Sequence, residues 1–349
     1  MVQDIEQIVL KEKKNRIKWG FIWVILIAIF WGIGYVPMAT IWCVPEIDGL
    51  LGMEGDKGYL GTSLLISALQ AIVFMLFLTI VWCGATGKLK EYKKTISNKK
   101  IVKWILIGAA FGGPCAIFGS TIAIGYIGAG FAAAMGLMSA ITGALFARIM
   151  NKEKLSTNAI LGIIILLIGG IIILDPSTMV DEIKNGSAVG YIGALMSIIG
   201  WGLEGNFAVR SLDVTDSDAS LPVRYTLESL LWICIILPIS IVIFGPSEFI
   251  DAMVDCFTNA PVLFWEFMAA MTLGMCYVCQ YRSFATLGVG RTLSIQSFYV
   301  PVSLIALYFF MGQEIGIMLA AGSLIAVFGM FVMYRESSSI IDSTRDMED

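Results

Sequence analysis

Long apolar blocks alternate with short polar links along nearly the whole chain. A helix that crosses about 30 Å of hydrocarbon needs roughly 20 apolar residues. Runs of that kind lie at 19–43, 60–84, 101–122, 125–147 and 157–174. Five more lie at 188–210, 223–244, 262–282, 291–311 and 315–334. Several neighbours are parted only by brief links such as Ala123-Ile124-Gly125 or Met311-Gly312-Gln313. The pattern predicts an all-α integral membrane protein of ten transmembrane helices. It divides the chain into a polar tail 1–17, a helical unit 18–174, a connecting loop 175–187, a second unit 188–335 and an acidic tail 336–349.

Composition supports this reading. Charged residues make up 14% of the 349 and hydrophobic residues 58%, where a soluble chain carries about 25% charge. The first stretch is polar and the run after it is too long for a leader's apolar core, so no cleaved signal is expected. No basic tract interleaved with aromatics points to nucleic acid as a partner. Cys276 and Cys279 form a CxxC, but they sit inside an apolar block of a chain without histidine. They read as small hydrophobes, and no metal or cofactor is expected. No phosphate-cradling loop is present, which argues against ATP-driven work by this chain alone.

Lysine and arginine placement orients the helices, because cytoplasmic loops collect positive charge. With the N-terminus inside and ten spans, the inner segments hold Lys11 to Lys18, the seven lysines from Lys88 to Lys103, Arg148, Lys152 and Lys154. They also hold Arg210, Arg224, Arg282, Arg291, Arg335 and Arg345. Of the 23 basic residues only Lys57 and Lys184 fall outside. Both termini are therefore expected in the cytoplasm, with the protein a multi-pass component of the cytoplasmic membrane.

The two units echo each other. Trp31-Gly32 in the middle of the first span returns as Trp201-Gly202 in the sixth. Gly128-Ala129-Gly130-Phe131 in the fourth returns as Gly288-Val289-Gly290-Arg291 in the ninth, and each runs on to a polar exit, Asn151-Lys152-Glu153 and Gly312-Gln313-Glu314. Five helices per unit is an odd number, so the second copy enters from the opposite face. That is an inverted repeat, a frequent architecture of secondary transporters. On these motifs, and on Pro301 in the ninth span, the chain resembles the drug/metabolite transporter superfamily, specifically its EamA-type members, over roughly residues 18–335. The resemblance implies a carrier of small solutes with a site between the halves. Three features depart from the compact form of such carriers: a long outer loop at 44–58, a long outer stretch at 247–260 and the acidic C-terminal tail.

Ionisable groups in a bilayer are costly, about 2.5–3.5 kcal/mol each, and usually face a cavity or a partner. Glu204, Glu228 and Glu266 meet that description and are the candidates for proton coupling. Glu204 shares a helix face with Ser197 and Trp201, and Glu228 with Tyr225 and Trp232. Carboxylates beside aromatics suit an organic cation. Glu228 can equally be an ion pair with Arg224 one turn away. Glu266, within Phe264-Trp265-Glu266-Phe267, reads as a carboxylate snorkelling from an aromatic belt at the outer interface. A second polar set comprises Tyr277, Gln280 and Tyr281, then Gln296, Ser297 and Tyr299. Together Trp31, Tyr35, Trp201, Glu204, Tyr277, Gln280, Tyr281, Gln296 and Tyr299 form the candidate substrate-binding set.

These features predict a secondary transporter rather than an enzyme, with a small-molecule substrate, the bilayer and protons as partners. Efflux of amino acids or related metabolites is the default that the resemblance implies. Proton-coupled uptake of an organic cation such as a quaternary ammonium compound is the alternative. An intramembrane enzyme fits poorly, because no histidine or clustered basic site gathers at one face. The pattern leaves oligomeric state open.

Overall fold

In a computed structural model of the full chain, the residues described are 2–47, 51–151, 156–176, 179, 183, 187–212, 214–287, 289–333 and 335. Most of the connecting loop 175–187, Lys152 to Lys154 and the acidic tail 336–349 lie outside them. Every regular element among the described residues is helical.

The helices are α1 Val2–Ile41, α2 Lys57–Thr86, α3 Leu89–Ser97, α4 Lys99–Ile127, α5 Ala129–Gly136, α6 Ser139–Asn151 and α7 Thr157–Leu174. They continue with α8 Ala188–Leu212, α9 Ser217–Phe244, α10 Pro246–Thr258, α11 Ala260–Phe284, α12 Val289–Gln296, α13 Tyr299–Met311 and α14 Ile317–Met333. Among the described residues, eight stretches are long and apolar enough to cross a membrane: α1 from Ile17, α2, α4, Ala129–Phe146, α7, α8, α9 and α11. The helices α13 and α14 are apolar but shorter.

Local chemistry sets the ends. Asn98 caps α4, Ser156 caps α7, Asp216 caps α9 and Asn259 caps α11, each side-chain oxygen accepting from a first-turn N–H. The break expected at 123–125 falls later, at Gly128, whose φ of 86° is open to glycine and strained for other residues. The outer stretch expected at 247–260 is instead mostly the helix α10. Arg224, expected among the loop cations, is not one. Because the Asp216 cap starts α9 at Ser217, it lies two turns inside that helix and is 1% exposed.

Two pairs of helices match in length. The fourth predicted span is broken into α5 of 8 residues and α6 of 13. The ninth is broken at the same place into α12 of 8 and α13 of 13. Wide π-type turns interrupt α2, α4, α9 and α11 at Phe77–Trp82, Phe111–Ile117, Trp232–Ile236 and Ala270–Gly274. In neighbour relations, α1 packs on α11 and α13, α8 packs on α4 and α6, and α7 packs along α14.

Glycines permit these crossings. A Cβ added at Gly32 would lie 2.5 Å from Val302 of α13, and one at Gly202 would run into Thr142 of α6. The Trp-Gly pairs are thus close-approach points, with the neighbouring tryptophans Trp31 and Trp201 meeting edge to face at 5.7 Å. Along α7, a Cβ at Gly169 would stand 2.8 Å from the Ala326 backbone nitrogen and 2.9 Å from the Gly322 carbonyl. Backbone cannot swing aside as a side chain can. Gly169→Val should therefore force α7 from α14 and cost about 1–3 kcal/mol or more, read as a lower unfolding temperature of the purified protein. Gly205→Ala, with nothing within 4 Å, should leave that temperature unchanged or raise it slightly; equal losses in both would overturn this account.

Candidate functional site

A small cavity opens between α1, α2, α4, α8 and α11. Its walls are the aromatic rings of Trp31, Tyr35, Trp201 and Tyr277, completed by Met38, Gln70, Ile117, Ser120 and Leu273. Tyr299 stands behind Trp31, stacked at 4.6 Å and 13°, and donates its hydroxyl to the Ala133 carbonyl at 2.8 Å. Two polar atoms at this wall, Trp201 Nε1 and Gln70 Oε1, are buried without a hydrogen-bond partner among the described residues. One is a donor and the other an acceptor, so the cavity offers complementary groups to a polar ligand.

Behind Tyr277 lies a buried ion triad. Arg224 Nε is 2.8 Å from Glu204 Oε1, and Nη1 is 2.9 Å from Glu228 Oε2. All three side chains are nearly sealed, at 1%, 6% and 0% exposure. The guanidinium carbon sits 4.2 Å from the Tyr225 ring centre and 5.4 Å from that of Tyr277. One guanidinium is thus shared between two carboxyl groups from different helices. The wide turn of α4 makes the room. A Cβ at Gly112 would collide with Arg224 and lie 2.5 Å from the Glu204 carboxyl, and one at Gly113 would collide with Glu228. Pro114, in the same turn, lacks an N–H and helps keep that backbone out of a regular ladder.

A family model for the triose-phosphate transporter family matches residues 58–335. The chain belongs to that family. It is therefore a membrane solute transporter of the drug/metabolite transporter superfamily, as the sequence resemblance led one to expect; the match bears on the superfamily rather than on its EamA-type branch. Among curated proteins none matches. A solved structure described only as "Crystal structure of protein" is similar in fold, with a TM-score of 0.54 and 14% identity over 95% of this chain and 99% of that one.

Of the residues singled out from the sequence, the transporter places Trp31, Tyr35, Trp201 and Tyr277 on the cavity wall. Glu204 and Glu228 join in one cluster one ring away from it. Gln280 donates to Gln296 at 3.1 Å, which ties α11 to α12 away from the wall, and Tyr281 stacks with Phe284. Glu266 is fully buried rather than snorkelling from an interfacial belt, because α1, α2 and α10 all pack against that half of α11. Sequence reasoning passed over Gln70 and Ser120. A buried amide in an otherwise apolar run was the available signal.

The basic end of the bundle is closed by charge. Arg282 grips Asp218 with Nε and Nη2 at 2.8 and 2.6 Å, and its guanidinium lies 4.9 and 5.0 Å from the rings of Trp23 and Trp82. Trp82 donates to Asp218 at 3.3 Å, Cys83 to the Asp218 carbonyl at 3.5 Å, and Lys88 to Asp216 at 2.6 Å. The hydrogen bond and charge of Asp216 hold the Lys88 ammonium above its usual value. This latch joins α1, α2, α9 and α11.

Arg224→Met should strand two buried carboxylates and cost about 3–5 kcal/mol, seen as a fall in thermal stability. Adding Glu204→Gln and Glu228→Gln should recover most of that loss, since no charge is then unpaired; no recovery would sink the triad account. In a variant whose sole cysteine is Cys83, Asp218→Asn removes charged hydrogen bonds worth roughly 1.5–3 kcal/mol. Maleimide labelling of Cys83 should then speed up about tenfold or more, whereas an unchanged rate would show the latch does not hold that end shut.

Proposed function

We infer that this transporter is a secondary carrier that moves a small amine-bearing organic solute, amino acids and related metabolites included, across the cytoplasmic membrane by alternating access. The observation that carries the substrate class is the aromatic-walled cavity backed by two carboxyl groups that share one guanidinium. An ammonium group gains from ring faces and from a carboxylate together. A phosphate dianion, which the family's name brings to mind, would enter a site whose described walls hold no lysine or arginine and whose nearest described cation is already shared. The family's name is therefore a weak guide to the cargo here.

Alternating access by ten spans in two inverted five-helix repeats is supported by several observations. The broken helices α5/α6 and α12/α13 match in length. The Trp-Gly crossings fall at matching places, and the α1–α11 and α8–α4 contacts correspond under exchange of the halves. The termini, on this reading, are cytoplasmic, with the basic end inside. Export of amino acids or related metabolites is the direction the superfamily resemblance implies. Uptake of an organic cation is the second reading, favoured by the ring-lined cavity.

A panel decides the substrate class: zwitterionic amino acids, primary amines, quaternary ammonium compounds and triose phosphates, each assayed by thermal stabilisation of the purified protein. Amine-bearing members should stabilise it, and the effect should vanish in Trp201→Ala. Stabilisation by triose phosphates with none from the amines would refute the proposal.

A further inference from the structure

Among the described residues, Glu266 is a bundle acid that the ion triad and the latch leave aside. It lies about a turn and a half inside the start of α11 and is 0% exposed. Neither carboxyl oxygen has a hydrogen-bond partner among the described residues, and it takes part in none of the described ion pairs. No group of three or more metal-ligating side chains surrounds it among those residues. Its half of α11 packs on α1, α2 and α10 and on its own wide turn. Of the titratable groups on those elements, Cys256 of α10 is close enough to feel its charge, and its thiol is pushed up to about 12, by burial first and by Glu266 second. Glu248, Asp251 and Asp255 of α10 face outward, as do Lys57 and Tyr59 of α2 and Cys43 beyond α1. Tyr35 of α1 belongs to the cavity wall, and the wide turn 270–274 carries no titratable group.

Position gives this isolated acid a use. Leu273 and Gln70 line the cavity. Glu266 and Ser63 lie seven residues nearer the opposite end on those same two helices, a rise of about 10 Å. Thr62 Oγ1, Ser63 Oγ and Trp42 Nε1 in this zone are also buried without hydrogen-bond partners among the described residues. A run of unsatisfied polar atoms thus leads from the end opposite the latch toward the cavity. An unpaired carboxylate ion in so apolar a setting is strongly disfavoured, whereas the neutral acid is tolerated.

We propose that Glu266 is a proton-binding site on the pathway between the cavity and the end opposite the latch, loaded while α2 and α11 are packed together and emptied when they part. The coupling it provides rests on the transport reading above, but the protonation of the side chain does not. While the path is closed the acid keeps its proton, because no described cation stands beside it to neutralise the ion. Opening lets water reach the carboxyl and stabilise its ion, so the proton leaves on that side. The carboxyl is reloaded from the other side: with the cavity open at the latch end, a proton reaches Glu266 from the cavity along the polar run. Each cycle then moves one proton between the latch side and the opposite side, together with, or against, the solute.

Infrared spectroscopy of the full-length protein in lipid at neutral pH tests the site without any solute. The wild type should show the carbonyl stretch of a protonated carboxylic acid, shifted in D₂O, that disappears in Glu266→Gln and persists in Glu204→Gln. Glu266→Asp should keep a displaced band, which serves if the glutamine variant folds poorly. Proteoliposomes with an imposed pH gradient test the coupling, using the amines and zwitterions of the panel above. Gradient-driven uptake should fall in Glu266→Gln to the level without a gradient, while solute counterflow survives. A band untouched by Glu266→Gln, or uptake still driven by the gradient, overturns the proposal. If no amine or zwitterion moves in the wild type, the substrate reading fails, and the infrared result still decides whether Glu266 holds a proton.

Discussion

A guanidinium cannot shed its charge, so Arg224 fixes much of what surrounds it. Within apolar helices it has to be neutralised by contact. Glu204 from α8 and Glu228 from its own helix do this at 2.8 and 2.9 Å. Their convergence demands that α4 come close without side chains, and Gly112 and Gly113 supply that approach. Three helices are thereby committed to one point. The cluster stabilises little in itself, since desolvation offsets much of the attraction. Its effect is to make other arrangements of α4, α8 and α9 expensive, because any of them leaves a charge bare.

The second constraint is steric. Glycines at crossings let helices approach where no hydrophobic force between them exists to drive association. Gly32 against α13 and Gly202 against α6 set the tilt that brings Trp31 and Trp201 within 5.7 Å of each other. The cavity is what remains when large rings meet at a place defined by the absence of side chains elsewhere. Packing and site are therefore one problem: enlarge a crossing glycine and the rings separate.

Much of this is legible in the residues. The apolar blocks mark the helices, the Trp-Gly echo leads to the superfamily and to Trp31 and Trp201 of the cavity wall, and the polar set of the eighth span leads to Tyr277. Arg224 escapes such a reading for a physical reason. Positive-inside counting treats a cation near the start of an apolar run as interfacial, while the Asp216 cap and the polar first turns of α9 carry the helix inward past it. Glu266 suggests an aromatic belt because Trp265 and two phenylalanines flank it; the cover given by α1, α2 and α10 depends on a tertiary fold that no local window contains. Gln280 and Gln296 show the limit of polarity as a guide. Two amides in apolar helices need partners, and here they bond each other.

The two mouths of the bundle are shut by different forces, and the difference bears on how it would open. At the basic end a bidentate carboxylate–guanidinium pair, flanked by tryptophan rings, joins four helices. At the opposite end closure relies on the Trp42, Tyr59 and Tyr126 rings, one bond from Tyr126 to Asp56 at 2.6 Å, and apolar packing under α10. Charged hydrogen bonds lose strength once water enters between the partners, so the basic end should yield in one step when the pair parts. Ring and methylene contacts give way incrementally with area exposed. A carrier built this way has a latch on one side and a graded seal on the other, and an isolated buried acid is best placed to sense opening beneath the graded one.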